Sequence, residues 1–187
     1  MQKNEKIFYR SVVVISIIGA ALTTALGVLL HFLYEYTDKS FVASLISPVN
    51  ESVWEHLKLI FIPFFMLALI EYAVYGRSFG RFFYSKLTSV TCAMLLTVIA
   101  HYTYSGIIGK SVIAIDMIIY ISAVFFGYGL ALYQLLSAGI KDHPEKKELL
   151  SVFGFVTVLA IFFVATFIQP KIDLFLDPEA MYYGIPQ

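Results

Sequence analysis

SVVVISIIGAALTTALGVLLHFLY, residues 11–34, carries no formal charge along its whole length. A helix needs roughly 20 apolar residues to cross a bilayer, and this run exceeds that. Lys3, Lys6 and Arg10 precede it, as in a secretory leader. Its apolar stretch is too long for a leader's hydrophobic region, and no clear small-residue cleavage site closes it, so we read it as a retained membrane anchor.

Four more segments follow the same pattern. They are expected as helices over about 48–75, with a kink at Pro63, then 85–105, 112–136 and 149–168. Composition agrees: of 187 residues, 59% are hydrophobic and only 14% charged, with mean hydropathy +0.81. A water-soluble domain carries about 25% charged residues. Thirteen Tyr and seventeen Phe suit a protein with two interfacial aromatic belts. The expected class is therefore all-α: one integral membrane bundle of five transmembrane helices in contact with the lipid bilayer. The zero net charge gives no argument for a nucleic-acid partner. Cys92, the single cysteine, excludes an internal disulfide and a cysteine-based metal cage; at mid-span it reads as a small packing residue.

Lysine and arginine alternate between rich and poor flanks. Lys3, Lys6 and Arg10 lie before the first span; Arg77, Arg81 and Lys86 in the second loop; Lys141, Lys146 and Lys147 in the fourth. The other flanks hold Lys39, with Lys58 just inside the next span, then Lys110 and Lys171. The positive-inside rule puts the N-terminus in the cytoplasm and the C-terminus outside. His143, in the cytoplasmic connector, reads as solvated.

That orientation collects the polar side chains into one layer. His31 and Glu35 fall at the outer end of the first helix, and Asn50, Glu51, Glu55 and His56 at the outer start of the second. His101 is near the outer end of the third, and Asp116 about 9 Å below Lys110 on the fourth, at 1.5 Å per residue. Glu71 is the exception at the inner end, where Arg77, Arg81 or Lys86 would neutralise it. Ala20, Thr24, Gly27, His31 and Glu35 share one helical stripe, as do Thr97, His101 and Ser105, and Asp116, Tyr120, Ala123 and Gly127. Small residues permit close helix approach, so these stripes are expected to face the bundle.

Ionisable groups at membrane depth are costly and point to function. The bland reading is a polar plug in which they satisfy one another. The functional reading has two branches. In the first, the layer binds or transports a small solute, an ion or a lipid headgroup, with Asn50, Glu35 and Tyr120 as ligand-binding groups. In the second, His31, His56, His101 and Asp116 hold zinc as cofactor, and Glu55 or Glu51 serves as catalytic base in a metal-dependent hydrolase. No HExxH pair supports the second. An accessory subunit that packs through small-residue faces is a third class. Ser47-Pro48 reads as a helix cap followed by proline at the first helical position, with Asn50 competing. Trp54 reads as an interfacial anchor.

After Gln169 comes PKIDLFLDPEAMYYGIPQ, residues 170–187. Three prolines and a glycine break it, yet it is too apolar for a disordered tail. It emerges on the side of the polar layer and is expected either to dock there as a lid or to lie as a loose interfacial anchor.

Two stretches are familiar together: SPVNESVWEHLKL at 47–59 and PKIDLFLDPEAMYYGI at 170–185. On them the chain resembles a family of small multi-pass bacterial membrane proteins classed as a domain of unknown function. The resemblance implies a bacterial cytoplasmic membrane and imports no activity. The histidine and acid inventory is also similar to that of transmembrane hydrolases related to alkaline ceramidase, which have more helices and whose motifs are not matched.

Overall fold

A computed structural model describes residues 3–140 and 146–185; Lys141 and His143 lie outside them. Five helices are long and apolar enough to cross a membrane. They are α1 (Lys3–Tyr36), the pair α3 (Val53–His56) and α4 (Lys58–Val74), α5 (Phe82–Ile108), α6 (Ile113–Ala138) and α7 (Lys146–Phe167). A short helix, α2 (Phe41–Ile46), follows α1. The molecule is all-α and multi-pass.

The chain reverses where its residues permit. Helix α1 ends in a turn with Asp38 and Lys39 at positive φ. Helix α5 ends at Gly109, whose φ of +82° suits glycine and whose N–H returns to the Ser105 carbonyl at 2.7 Å. Helix α4 is the central element. It packs against α1 and α5, while α6 bridges α1 and α5 and α7 lies on α5.

The second span begins later than the Ser47-Pro48 pair suggests. Ser52 is the cap, accepting the Glu55 N–H at 3.3 Å. Ser47 instead donates to the Leu30 carbonyl at 2.6 Å and accepts the Tyr34 N–H at 3.2 Å. Those two bonds to α1 fix the 47–52 segment against the bundle, which is why the helix does not start there.

Pro63 lies inside α4 and removes the N–H that would serve the Leu59 carbonyl. The structure compensates from the side. The single proton of the Tyr120 hydroxyl of α6 is shared among three carbonyls, that of Leu59 at 3.5 Å and those of Thr24 and Thr23 in α1 at 3.1 and 3.2 Å. Gly27 makes this junction fit: a Cβ there would stand 2.6 Å from the Leu59 oxygen.

The distribution of polarity is inverted relative to a protein in water. Large apolar side chains such as Ile17, Leu29, Ile99, Phe153 and Val164 face outward, whereas Lys58, Glu55, Lys86 and Glu71 are buried. A hydrocarbon solvent accounts for both halves of that pattern. Cys92 lies on the outward face.

Candidate functional site

Two buried ion pairs hold the bundle at opposite ends of α4. At its start, the Lys58 ammonium donates to Glu55 Oε2 at 2.7 Å, Thr166 Oγ1 at 2.6 Å and the Ser44 carbonyl at 2.9 Å. The same Glu55 oxygen accepts the Val49 N–H at 3.1 Å. Both side chains are fully buried. At its far end Glu71 pairs with Lys86, the one of its three candidate partners that α5 carries inward. The Tyr75 hydroxyl donates to Glu71 Oε2 at 2.9 Å, and the Lys86 ammonium lies over the Tyr128 ring at 4.5 Å. Lys58 and Lys86 are thus interior cations rather than loop charges.

The histidines and acids of the opposite layer form two groups. The first joins α1 to the 51–56 segment. His31, Glu51 and His56 each place one ligand-type atom within 4.8 Å of the others. His56 Nε2 is 3.4 Å from Glu51 Oε2, and the His31 and His56 rings are 5.2 Å apart. His56 Nδ1 lies 2.9 Å from the Ser52 carbonyl. A carbonyl only accepts, so Nδ1 carries a proton and donates. In the neutral ring the lone pair is then on Nε2, aimed at the Glu51 carboxylate. Two electron-rich atoms at that distance call for a proton or a cation between them. His31 Nδ1 is buried and makes no hydrogen bond. The site lies at the surface of the bundle: the His56 and Glu51 side chains are 33% and 46% exposed. Contact with His56 holds the Glu51 carboxyl below the usual carboxylate range.

The second group is the pair His101–Asp116, bridging α5 and α6 at 2.8 Å. It is not part of the three-residue cluster. Glu55, four residues beyond Glu51 in sequence, turns to Lys58 instead. Asn50 is buried and ties the C-terminal segment down, Tyr120 serves the Pro63 junction, and Glu35 is exposed at the end of α1.

The C-terminal segment packs over the 47–56 segment. Phe175 lies against Trp54 at 4.8 Å, and Ile185 packs on Tyr34, Ala43 and Val49. A bridge between Leu176 and Tyr183 folds the segment back on itself. Burial and the neighbouring Asp177, Tyr34, Glu35 and Glu51 push the Tyr182 phenol up.

Sequence reasoning counted Lys58 only as a flank charge and did not single out Asp177 or Gln169. Lys58 stands three residues after Glu55, a spacing that brings opposite charges together on a helix. Asp177 precedes a proline, the common place for a carboxylate that caps a turn.

A family of unknown function (DUF6512) matches residues 1–185. The chain belongs to this family. No curated protein and no solved structure matches it. The DUF6512 match includes every residue of the His31–Glu51–His56 cluster and the segment packed over it, so the site lies wholly within the family's extent.

Proposed function

We propose that this chain binds a divalent transition-metal ion, zinc first, from the extracytoplasmic side of a bacterial cytoplasmic membrane, through His31, Glu51 and His56. One observation carries the reading: three residues of types that bind zinc bring one donor atom each within 4.8 Å of the others, and His31 among them has a buried ring nitrogen, Nδ1, with no hydrogen-bond partner. Two ligands each about 2.0–2.1 Å from a tetrahedral ion stand about 3.3–3.4 Å apart. The His56–Glu51 separation of 3.4 Å already has that value. His31 closes the set by a side-chain adjustment. The His56 bond to the Ser52 carbonyl is the outer-shell support that metal-binding imidazoles usually have.

Charge placement supports the orientation. Seven of the twelve described Lys and Arg residues flank the other end of the bundle, at positions 3, 6, 10, 77, 81, 146 and 147. Three, Lys39, Lys110 and Lys171, flank the end with the site, and the remaining two are the buried Lys58 and Lys86. The positive-inside rule then turns the site outward.

Two His, one carboxylate and a vacant fourth position are also the donor set of hydrolytic zinc centres. For that second reading a base is needed beside the metal. Glu51 is itself a ligand and Glu55 is held by Lys58, so simple ion binding is the better reading, as a receptor or an entry site for transport.

Metal analysis and calorimetry of the purified protein in detergent test the site. We expect about one zinc per chain. His31→Ala and His56→Ala should each weaken binding by more than the 10–100-fold typical of an outer-shell residue. Unchanged zinc binding in the double variant would sink the assignment.

A further inference from the structure

The geometry points to Asp177 as a positioning residue for this metal site, with the C-terminal segment as the clasp that sets two of its three ligands. This inference rests on the cation reading above and adds to it a coupling between metal and tail.

Glu51 is held from both directions. Its carboxylate meets His56, and its backbone N–H donates to Asp177 Oδ2 at 3.1 Å. The other Asp177 oxygen accepts the N–H groups of Glu179 and Ala180 at 2.9 and 3.0 Å, which fixes the carboxylate within its own turn. Asp177 is buried. One residue earlier, the Asn50 amide donates to the Gly184 carbonyl at 2.8 Å, while its oxygen accepts the Ser52 N–H at 3.0 Å. Gly184 N–H in turn donates to Gln169 Oε1 at 2.7 Å. Gly184 has φ +86°, a conformation that favours glycine, and presents its N–H and carbonyl to Gln169 and Asn50.

These bonds form a path to the ligands. Asp177 sets the Glu51 backbone. Gly184, through Asn50, sets Ser52, whose carbonyl sets the His56 ring by the 2.9 Å bond to Nδ1. A tail that holds the ligands at metal-binding separation raises metal affinity. Binding linkage is reciprocal, so the metal must tighten tail docking by the same factor.

The apolar contacts of the tail, Phe175 on Trp54 and Ile185 on its cluster, do not involve Asp177. Asp177→Ala therefore loosens the clasp without removing the segment. The test measures the zinc dissociation constant of the full-length protein in detergent and, separately, the rate of proteolysis within residues 170–185 with and without zinc. We expect Asp177→Ala to weaken zinc binding by about 10–100-fold, the range for outer-shell residues, and Asp177→Asn to recover part of it. Zinc should slow cleavage of the tail in the parent protein and much less in Asp177→Ala. Parent protein that binds zinc, with Asp177→Ala binding it equally and zinc giving no protection, overturns the clasp and leaves the metal site standing. Parent protein that binds no zinc overturns both. Should Asp177→Ala fail to fold, Asp177→Asn and Asn50→Ala decide the matter by the same two measurements.

Discussion

Replacing Lys58 by Met should be among the most damaging single changes at the start of α4, and its cost should fall as the pH is lowered. Lys58 and Glu55 are both completely buried, and among the described residues the ammonium is the one charged donor that hydrogen-bonds the carboxylate. After Lys58→Met, Glu55 keeps the Val49 N–H and the Gln169 amide at 3.4 Å, both neutral donors. Removing one member of a buried pair costs about 3–5 kcal/mol, because a charge is stranded in a medium that solvates it poorly. The stranded carboxylate escapes by taking a proton. That costs about 1.4 kcal/mol for each pH unit above an ordinary value of about 4.3, hence about 3.7 kcal/mol at pH 7. The two routes to the magnitude agree. The charge-related deficit should then shrink to about 1 kcal/mol at pH 5. Glu55→Gln/Lys58→Met removes both charges and should be more stable than Lys58→Met alone, leaving a deficit of about 1–3 kcal/mol from the orphaned Ser44 carbonyl and the lost bond to Thr166. Reversible unfolding in mixed micelles gives the energies. Trp54, the single tryptophan, sits 5.0 Å from Phe162 of α7 and reports on this region by fluorescence. A Lys58→Met cost below about 1 kcal/mol, a pH-independent cost, or a double variant equal to the sum of the singles would refute the reasoning.

Other expectations can be checked in the same preparations. Zinc affinity should fall as the pH is lowered through the imidazole range, about pH 7.5 to 5.5, because protons compete with the metal for His31 and His56, by at most about a hundredfold per pH unit. Glu51, held low by His56, stays ionised across that window and adds no third proton, so a steeper dependence in calorimetric titrations would contradict the ligand set. Gly27→Ala pushes a methyl group to within 2.6 Å of the Leu59 backbone oxygen and into the Tyr120 hydroxyl. It should destabilise by about 1–3 kcal/mol in thermal or denaturant unfolding, since a backbone atom cannot turn aside. Gly129→Ala is its control: no atom lies within 4 Å of a Cβ there, and the change should be neutral or stabilising by up to about 1 kcal/mol.

Much of the architecture is legible because a bilayer imposes a simple length rule on each apolar run. That rule says where a span must be, not where its cap is. Ser47 satisfies every local requirement for a cap, yet its hydroxyl is taken by Leu30 and Tyr34 of α1, seventeen and thirteen residues away. Local chemistry therefore leaves the capping role to Ser52. The same limit governs the charges. Lys58 and Lys86 look like flank residues when counted along the chain, because a lysine near the end of a span normally reaches for the headgroups. Here each meets a carboxylate at the right depth, and burial with a partner wins over exposure without one. Among the site residues, depth is readable from position, but partnership is not. Glu51 and Glu55 share a helical face on paper. Lys58, three residues after Glu55, draws that carboxylate into the protein, and Glu51, which precedes the helix, is left to His56 and solvent. His101 and Asp116 are brought together by the tight turn at Gly109, which closes α5 onto α6 and gives them a partner outside the His31 cluster.

The arrangement has a consequence for how the two ends of the bundle divide labour. The Glu71–Lys86 pair is sealed by aromatic rings and by Gly19, where a Cβ would fall 2.5 Å from Glu71 Oε1, so this end has no room to open without separating α1 from α4. The His31 end is held differently. Its clustered residues, His31, Glu51 and His56, come from α1 and from a short capped segment, and that segment is braced by hydrogen bonds from the last residues described. The part-buried hydrogen bonds of Asn50 and Asp177 contribute about 0.5–3 kcal/mol each, whereas breaking a buried ion pair costs about 3–5 kcal/mol. Motion at this end therefore belongs to the 47–56 segment and the tail, with the Lys58 pair as its lower limit. Below that pair the helices are locked by charge, aromatic packing and the Pro63–Tyr120–Gly27 junction.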